Sequence, residues 1–211
     1  MKKFFMVTPQ QPGPSEEHPE GQLNTQSYEP VGNSLLEYGP TRFPLIPLLN
    51  GYTEPGEEVE VYTVTYDSPD CRYNLNSLER ELAELSEKKG ISIKLESVDV
   101  PFDDSTEAVL RIFQQLVNRT ADGDTLHACI TFGSKPMPLA LVMALQYAYR
   151  LKDDVSIDCV VYGQVDHSTE PPWPSRIYDV TSLVKLDEII RLLADRGVPD
   201  PESVISEILA L

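Results

Sequence analysis

Apolar and polar positions along this chain alternate between two periods. Short apolar runs rich in β-branched and aromatic residues, "KKFFMVT", "EVEVYTVTYD", "ISIKLESVDV", "TLHACITF" and "SIDCVVYGQV", predict five strands. Between them the apolar residues return at helical spacing. Leu78, Leu82 and Leu85 share one face of "NSLERELAELSEKKG", and Val109, Ile112, Phe113 and Leu116 share a face of the next helix. Gly90 and Gly123 fall where helix stop signals are expected. "TRFPLIPLLNGY" predicts a first helix with Thr41 as a candidate N-cap, and Pro47 is expected to kink it or delay its start. The tail, "YDVTSLVKLDEIIRLLADRGVPDPESVISEILAL", predicts a sixth strand, a helix through Ile189, Ile190, Leu192 and Leu193, and a short helix after Pro201. Strand and helix in this succession imply one α/β domain over residues 1–211, a mostly parallel six-stranded sheet with helices on both faces.

Two stretches depart from that rhythm. "KPMPLALVMALQYAYR" is apolar almost all round, so its helix has to be covered on every side, either as a central core helix or against a partner chain. Residues 9–40 are rich in Pro, Gly, Ser and Glu and follow no period. Such a long connection is functional or disordered as a rule; residues 10–24 are expected to be mobile, and "SYEPVGNSLLEYGPTRFP" has the aromatic content to dock back.

Composition narrows the function. The net charge of -17 argues against long nucleic acid as a partner, because phosphate contacts draw on surplus Lys and Arg; an anionic ligand has to be small and locally held. Cys71, Cys129 and Cys159 are odd in number and far apart, with two of them inside apolar strand runs, which predicts buried thiols in a reducing compartment. "MKKFFMVTPQ" is too short for a signal peptide or a membrane span, and a cytoplasmic protein without membrane association is expected.

In open α/β sheets ligands bind beyond the carboxyl ends of the strands, where the strand order reverses. The turn "ITFGSKPMP" is the most informative of those available. Gly133 permits close backbone approach, Ser134 can cap or donate to an anion, and Lys135 adds a positive charge beside a helix N-terminus. Pro136 and Pro138 remove amide donors, so the helix is expected to begin only near Pro138, and a capped helix with a solvated lysine is the simpler alternative. The turn is not a Walker A loop, since Pro136 follows the lysine, and no GxGxxG follows the first strand. HExxH, GxSxG and paired Cys/His metal spacings are also missing, and no cofactor or metal is expected. His18, His127 and His167 are scattered; His127 reads as a structural strand residue and "FDDS" as the N-cap of the third helix.

"ITFGSKPMPLALVMALQYAYRL", with "SIDCVVYGQ" and "IYDVTSLVKLDEIIRLL" after it and "TRFPLIPLLNGYTEPGEEVEVYTVTYD" before it, resembles the CARF family, the CRISPR-associated Rossmann-fold sensors of type III CRISPR systems. The resemblance implies a Rossmann-like homodimer that binds cyclic oligoadenylate, a ring of AMP units joined 3′ to 5′. Carried over by position, it implies that Thr131, Phe132, Gly133, Ser134 and Lys135 hold ribose and phosphate and that Thr8, Pro9 and Gln10 face the ring. Asn33 and Gln164 would read adenine edges, Arg42 would pair with phosphate, and Tyr66 would stack on a base. The first turn, "TPQQPG", departs from the family's short Gly-Ser type turn, and its insertion would act as a lid.

Members of that family carry an effector behind the sensor, and residues 184–211 are the expected connection to one; the chain is read as a sensor region of a longer effector or as a stand-alone protein. Ring binding that rearranges the dimer and activates an effector is the leading expectation. The alternative is a metal-independent ring nuclease, in which a ribose 2′-hydroxyl attacks the phosphate while Ser134 and Lys135 stabilise developing charge. A flavodoxin-like protein with a mononucleotide in the same crevice is a third reading.

Overall fold

The computed structural model describes residues 1–19 and 21–209. Glu20, in the insertion, and Ala210 and Leu211, at the end of the last predicted helix, lie outside the described residues. The elements in chain order are β1 (Lys2–Val7), β2 (Glu29–Val31), α1 (Leu45–Tyr52), β3 (Glu58–Tyr66), α2 (Pro69–Lys89), β4 (Ser92–Val100), α3 (Thr106–Val117), β5 (Thr125–Cys129), α4 (Pro136–Leu151), β6 (Ser156–Val165), β7 (Ser175–Asp179), α5 (Thr181–Asp195) and α6 (Pro201–Leu209). A single 3-10 turn, Ser34–Leu36, precedes α1.

One seven-stranded sheet runs in the order β2-β7-β6-β5-β1-β3-β4. Five adjacent strands, β6-β5-β1-β3-β4, are parallel, β7 is antiparallel to β6, and β2 pairs parallel with β7. The expected six strands therefore become seven, because the insertion contributes the three-residue strand "EPV" to an edge. Proline is tolerated there because an edge strand pairs on one side only.

Alternation along the strands divides the core in two. Phe4 and Met6 of β1, with Val59 and Val61 of β3, pack under α1 and α2, whose Leu45, Leu48, Leu49, Leu78, Leu82 and Leu85 are buried. Phe5, Val7, Val64 and Tyr66 pack under α3 and α4, against Ile112, Leu116, Met137, Leu141 and Leu145. Each such side chain removed from water contributes about 2 kcal/mol, and the two layers fix the sheet between two helical faces.

Local signals explain most element ends. Ser68 caps α2 through Cys71 N–H at 3.1 Å, and Gly90 ends it in the left-handed region at φ +72°. Thr41 does not cap α1: its hydroxyl engages Glu81 and accepts from Phe43 N–H at 3.0 Å. Pro47 neither kinks nor delays that helix, which starts at Leu45, so proline falls in the first turn where its missing N–H is not needed. Similarly α4 begins at Pro136, two residues earlier than expected.

Residues 10–24, expected to be mobile, run against α2 where described. Asn74 Nδ2 donates to the Pro9 and Gln11 carbonyls at 3.1 and 2.9 Å, and Gly13 N–H donates to Asp70 at 2.8 Å. Cys71, Cys129 and Cys159 are free and buried.

Candidate functional site

Apart from the excursion of the insertion to β2 at the far edge, the chain steps from β1 outward to β3 and β4, then returns to β5 and β6 on the other side of β1. The order of the parallel strands thus reverses between β1 and β5, where a crevice is expected at their carboxyl ends. A cavity of about 330 Å³ lies there, lined by Gln10, Gln11, Thr131, Phe132 and Gly133. A larger one, about 590 Å³, lies over β3 and β4, but its lining includes Asp67 and Asp99 as well as Arg72, which Asp67 pairs. The crevice at the reversal of strand order is the candidate site.

Gly133 makes its turn possible. It sits at φ +103°, and a Cβ there would meet Val7 Cγ1 at 2.9 Å and Met137 Cβ at 3.0 Å. This brings the backbone down onto β1 and leaves Ser134 and Lys135 at the start of α4, where amides are free of intrahelical partners. Lys135 is exposed and pairs with no carboxylate among the described residues. On the other wall, Gln10 Nε2 and Gln11 Oε1 are buried and have no hydrogen-bond partner among the described residues. Buried carboxamide atoms beside an open cavity favour a ligand or solvent that completes them.

Ser134 is held by residues from two other elements. Its hydroxyl donates to Asp104 Oδ1 at 2.6 Å and lies 3.1 Å from the Tyr66 hydroxyl, which itself donates to the same carboxylate oxygen at 3.0 Å. Burial, with the Asp104 carboxylate alongside, pushes the Tyr66 hydroxyl up to about 12, so it remains a proton donor at neutral pH.

The other predicted site residues divide. Thr8 is fully buried, its hydroxyl between those of Thr63 and Thr65 at 2.8 Å each, and Pro9 is buried beside Asn74; neither side chain faces the crevice. Thr131 lines the cavity, but its hydroxyl accepts from Gly163 N–H at 2.8 Å and so ties β5 to β6. Phe132 packs edge-on against Phe43 and forms the floor. Tyr66 cannot stack on a base, because its ring is core; the exposed ring beside it, 5.3 Å between centroids, is Phe102.

Three residues lie elsewhere. Asn33 caps the 3-10 turn and donates to Tyr52 and Asp179 at 2.8 and 2.7 Å, at the far end of α1 from Phe43 and Phe132. Arg42 is engaged by Glu81 and the Leu23 carbonyl and lines a separate cavity between α1 and α2. Gln164 accepts from the Tyr178 hydroxyl at 3.1 Å on the outer β6–β7 ladder.

Gln11, which lines the crevice, and Asp104, which holds Ser134 beside it, are the residues that sequence reasoning missed. "FDDS" reads as a helix cap, and Ser105 does cap α3, accepting from Ala108 N–H at 3.3 Å; that explanation left nothing pointing to Asp104. Among the described residues no group of three or more His, Cys, Asp or Glu is placed to hold a metal ion, and no helix is long and apolar enough to cross a membrane. Compared with known proteins, the chain matches no family model and no curated protein sequence.

Proposed function

We propose that this protein binds cyclic oligoadenylate as a homodimeric sensor, the ring lying across two copies of the crevice. The observation that carries this reading is Lys135. It is a cation with no carboxylate partner among the described residues, at the amino end of a 16-residue helix, beside a glycine turn at the reversal of strand order, on a chain of net charge -17. A helix N-terminus with a lysine suits one phosphate, and the buried Gln10 and Gln11 carboxamides opposite suit an adenine edge. Phe102, exposed beside Tyr66, takes the stacking role that sequence reasoning gave to Tyr66.

The dimer rests on α4. Its inner face buries Met137, Ala140, Leu141, Ala144, Leu145 and Ala148, while Leu139, Met143, Tyr147 and Leu151 form an exposed stripe at four-residue spacing. Leu139 is 62 % and Leu151 68 % exposed. Two copies meeting along this stripe set two Gly133–Lys135 turns about a twofold axis, the symmetry of a ring with an even number of nucleotides. Movement of α4 within that contact would pass the binding event to an effector.

Retention of cyclic tetra-adenylate and cyclic hexa-adenylate by the purified protein tests the reading, with bound and free fractions separated by chromatography. Retention of an intact ring supports a sensor, and linear or 2′,3′-cyclic phosphate products support the ring nuclease alternative. Retention of neither ring withdraws both.

A further inference from the structure

The Asp104 carboxylate is a charged group beside Ser134 that phosphate binding leaves without a role. Its Oδ1 accepts from Ser134 and from the buried Tyr66 hydroxyl, so its direction is fixed from two sides. Its Oδ2 has no hydrogen-bond partner among the described residues, and the residue is exposed. A carboxylate is an acceptor only, and beside a phosphate it is unfavourable unless a donor comes between them. A cyclic 3′–5′ oligonucleotide has one sugar hydroxyl per unit, the 2′-hydroxyl, on the carbon next to the one that bears the phosphate. A phosphate held by the Ser134 backbone N–H and Lys135 therefore brings that hydroxyl towards the group that is already one hydrogen bond from the Ser134 side chain.

We propose that Asp104 is a specificity-determining residue that accepts the ribose 2′-hydroxyl of the bound ring and makes the crevice selective for ribonucleotide over deoxyribonucleotide rings. This rests on the cyclic oligoadenylate reading and goes beyond it. Recognition of a hydroxyl by a placed acceptor rejects the analogue lacking it, because the acceptor is then left without its donor. Here the deoxy ring also loses a proton that would lie between two anions.

The test is equilibrium binding of cyclic tetra-adenylate, cyclic hexa-adenylate and their 2′-deoxyadenylate counterparts to the wild type, Asp104→Ala and Asp104→Asn. The wild type is expected to prefer the ribose ring by roughly tenfold or more. Asp104→Ala should bring the two affinities close together, chiefly by weakening the ribose ring, with deoxy binding unchanged or tighter. Asp104→Asn keeps an acceptor oxygen for Ser134 and Tyr66, and should lose part of the preference while melting at the wild-type temperature. A wild type that does not discriminate, or an alanine variant that discriminates in full, overturns the assignment and leaves the cyclic oligoadenylate reading standing. A wild type that binds neither ribose ring overturns that reading, and the assignment with it.

Discussion

Gly133 and Lys135 show how differently adjacent residues can carry a site. Gly133 is there for the backbone: any side chain is strained at φ +103° and meets Val7 and Met137. Gly133→Ala is expected to cost about 1–3 kcal/mol, read as a lower unfolding midpoint in a thermal melt. Lys135 is exposed and unpaired, so Lys135→Ala should leave that midpoint unchanged and weaken ring binding by about 2 kcal/mol, roughly thirtyfold, as measured by calorimetry. His127 makes the contrasting case of a residue read as structural. It is fully buried, stacks on Phe4 at 4.4 Å and meets Tyr52 edge-on, and neither ring nitrogen has a hydrogen-bond partner among the described residues. Burial brings its folded pKa down to about 4, below the unfolded value of 6.5. The unfolded chain therefore takes up a proton that the folded chain does not as pH falls through that window. Stability should drop by about 3 kcal/mol between pH 6.5 and pH 4. His127→Phe should remove that part of the slope, as read from denaturant midpoints at several pH values. Tyr66 shows why sequence alone misplaces a stacking ring. In a strand buried on both faces, such as "VYTVTY", apolar residues occupy both parities, and nothing local says which face a tyrosine takes.

At the scale of elements, the helices and the five parallel strands were legible because each carries its own period and stop signals. The strand β2 was not. Three residues containing a proline have no period of their own, and β2 exists only through its pairing with β7, far along the chain. Docking of residues 10–24 was equally hidden, since it depends on Asn74 and Asp70 of α2 meeting backbone groups of the insertion. The apolar helix α4 was recognised as needing cover on all sides, and the fold covers one side of it. The exposed stripe through Met143 is the surface assigned here to a second copy. Met143→Glu places a charge at its centre without touching the core, and light scattering should then report a monomer. A wild-type chain that is itself monomeric at micromolar concentration would rule out that role for α4.

For the whole molecule, the alternation of strands and helices predicted a mostly parallel α/β sheet, and the sheet order puts the candidate crevice between β1 and β5, beside the turn "ITFGSKPMP". The surroundings of Ser134 were less legible, because Asp104, Tyr66 and Ser134 come from three separate parts of the chain and meet only in the fold. Conversely, Asn33, Arg42 and Gln164 have side chains of suitable chemistry that the fold spends on its own contacts. The central claim joins this crevice, the α4 stripe and one small anionic ring into a twofold assembly. Native mass spectrometry of the protein with cyclic tetra-adenylate and with cyclic hexa-adenylate tests all three parts together. The account predicts two chains carrying one intact ring of either size. Two chains or one chain without a ring adduct, at ligand concentrations that saturate a micromolar site, would contradict it.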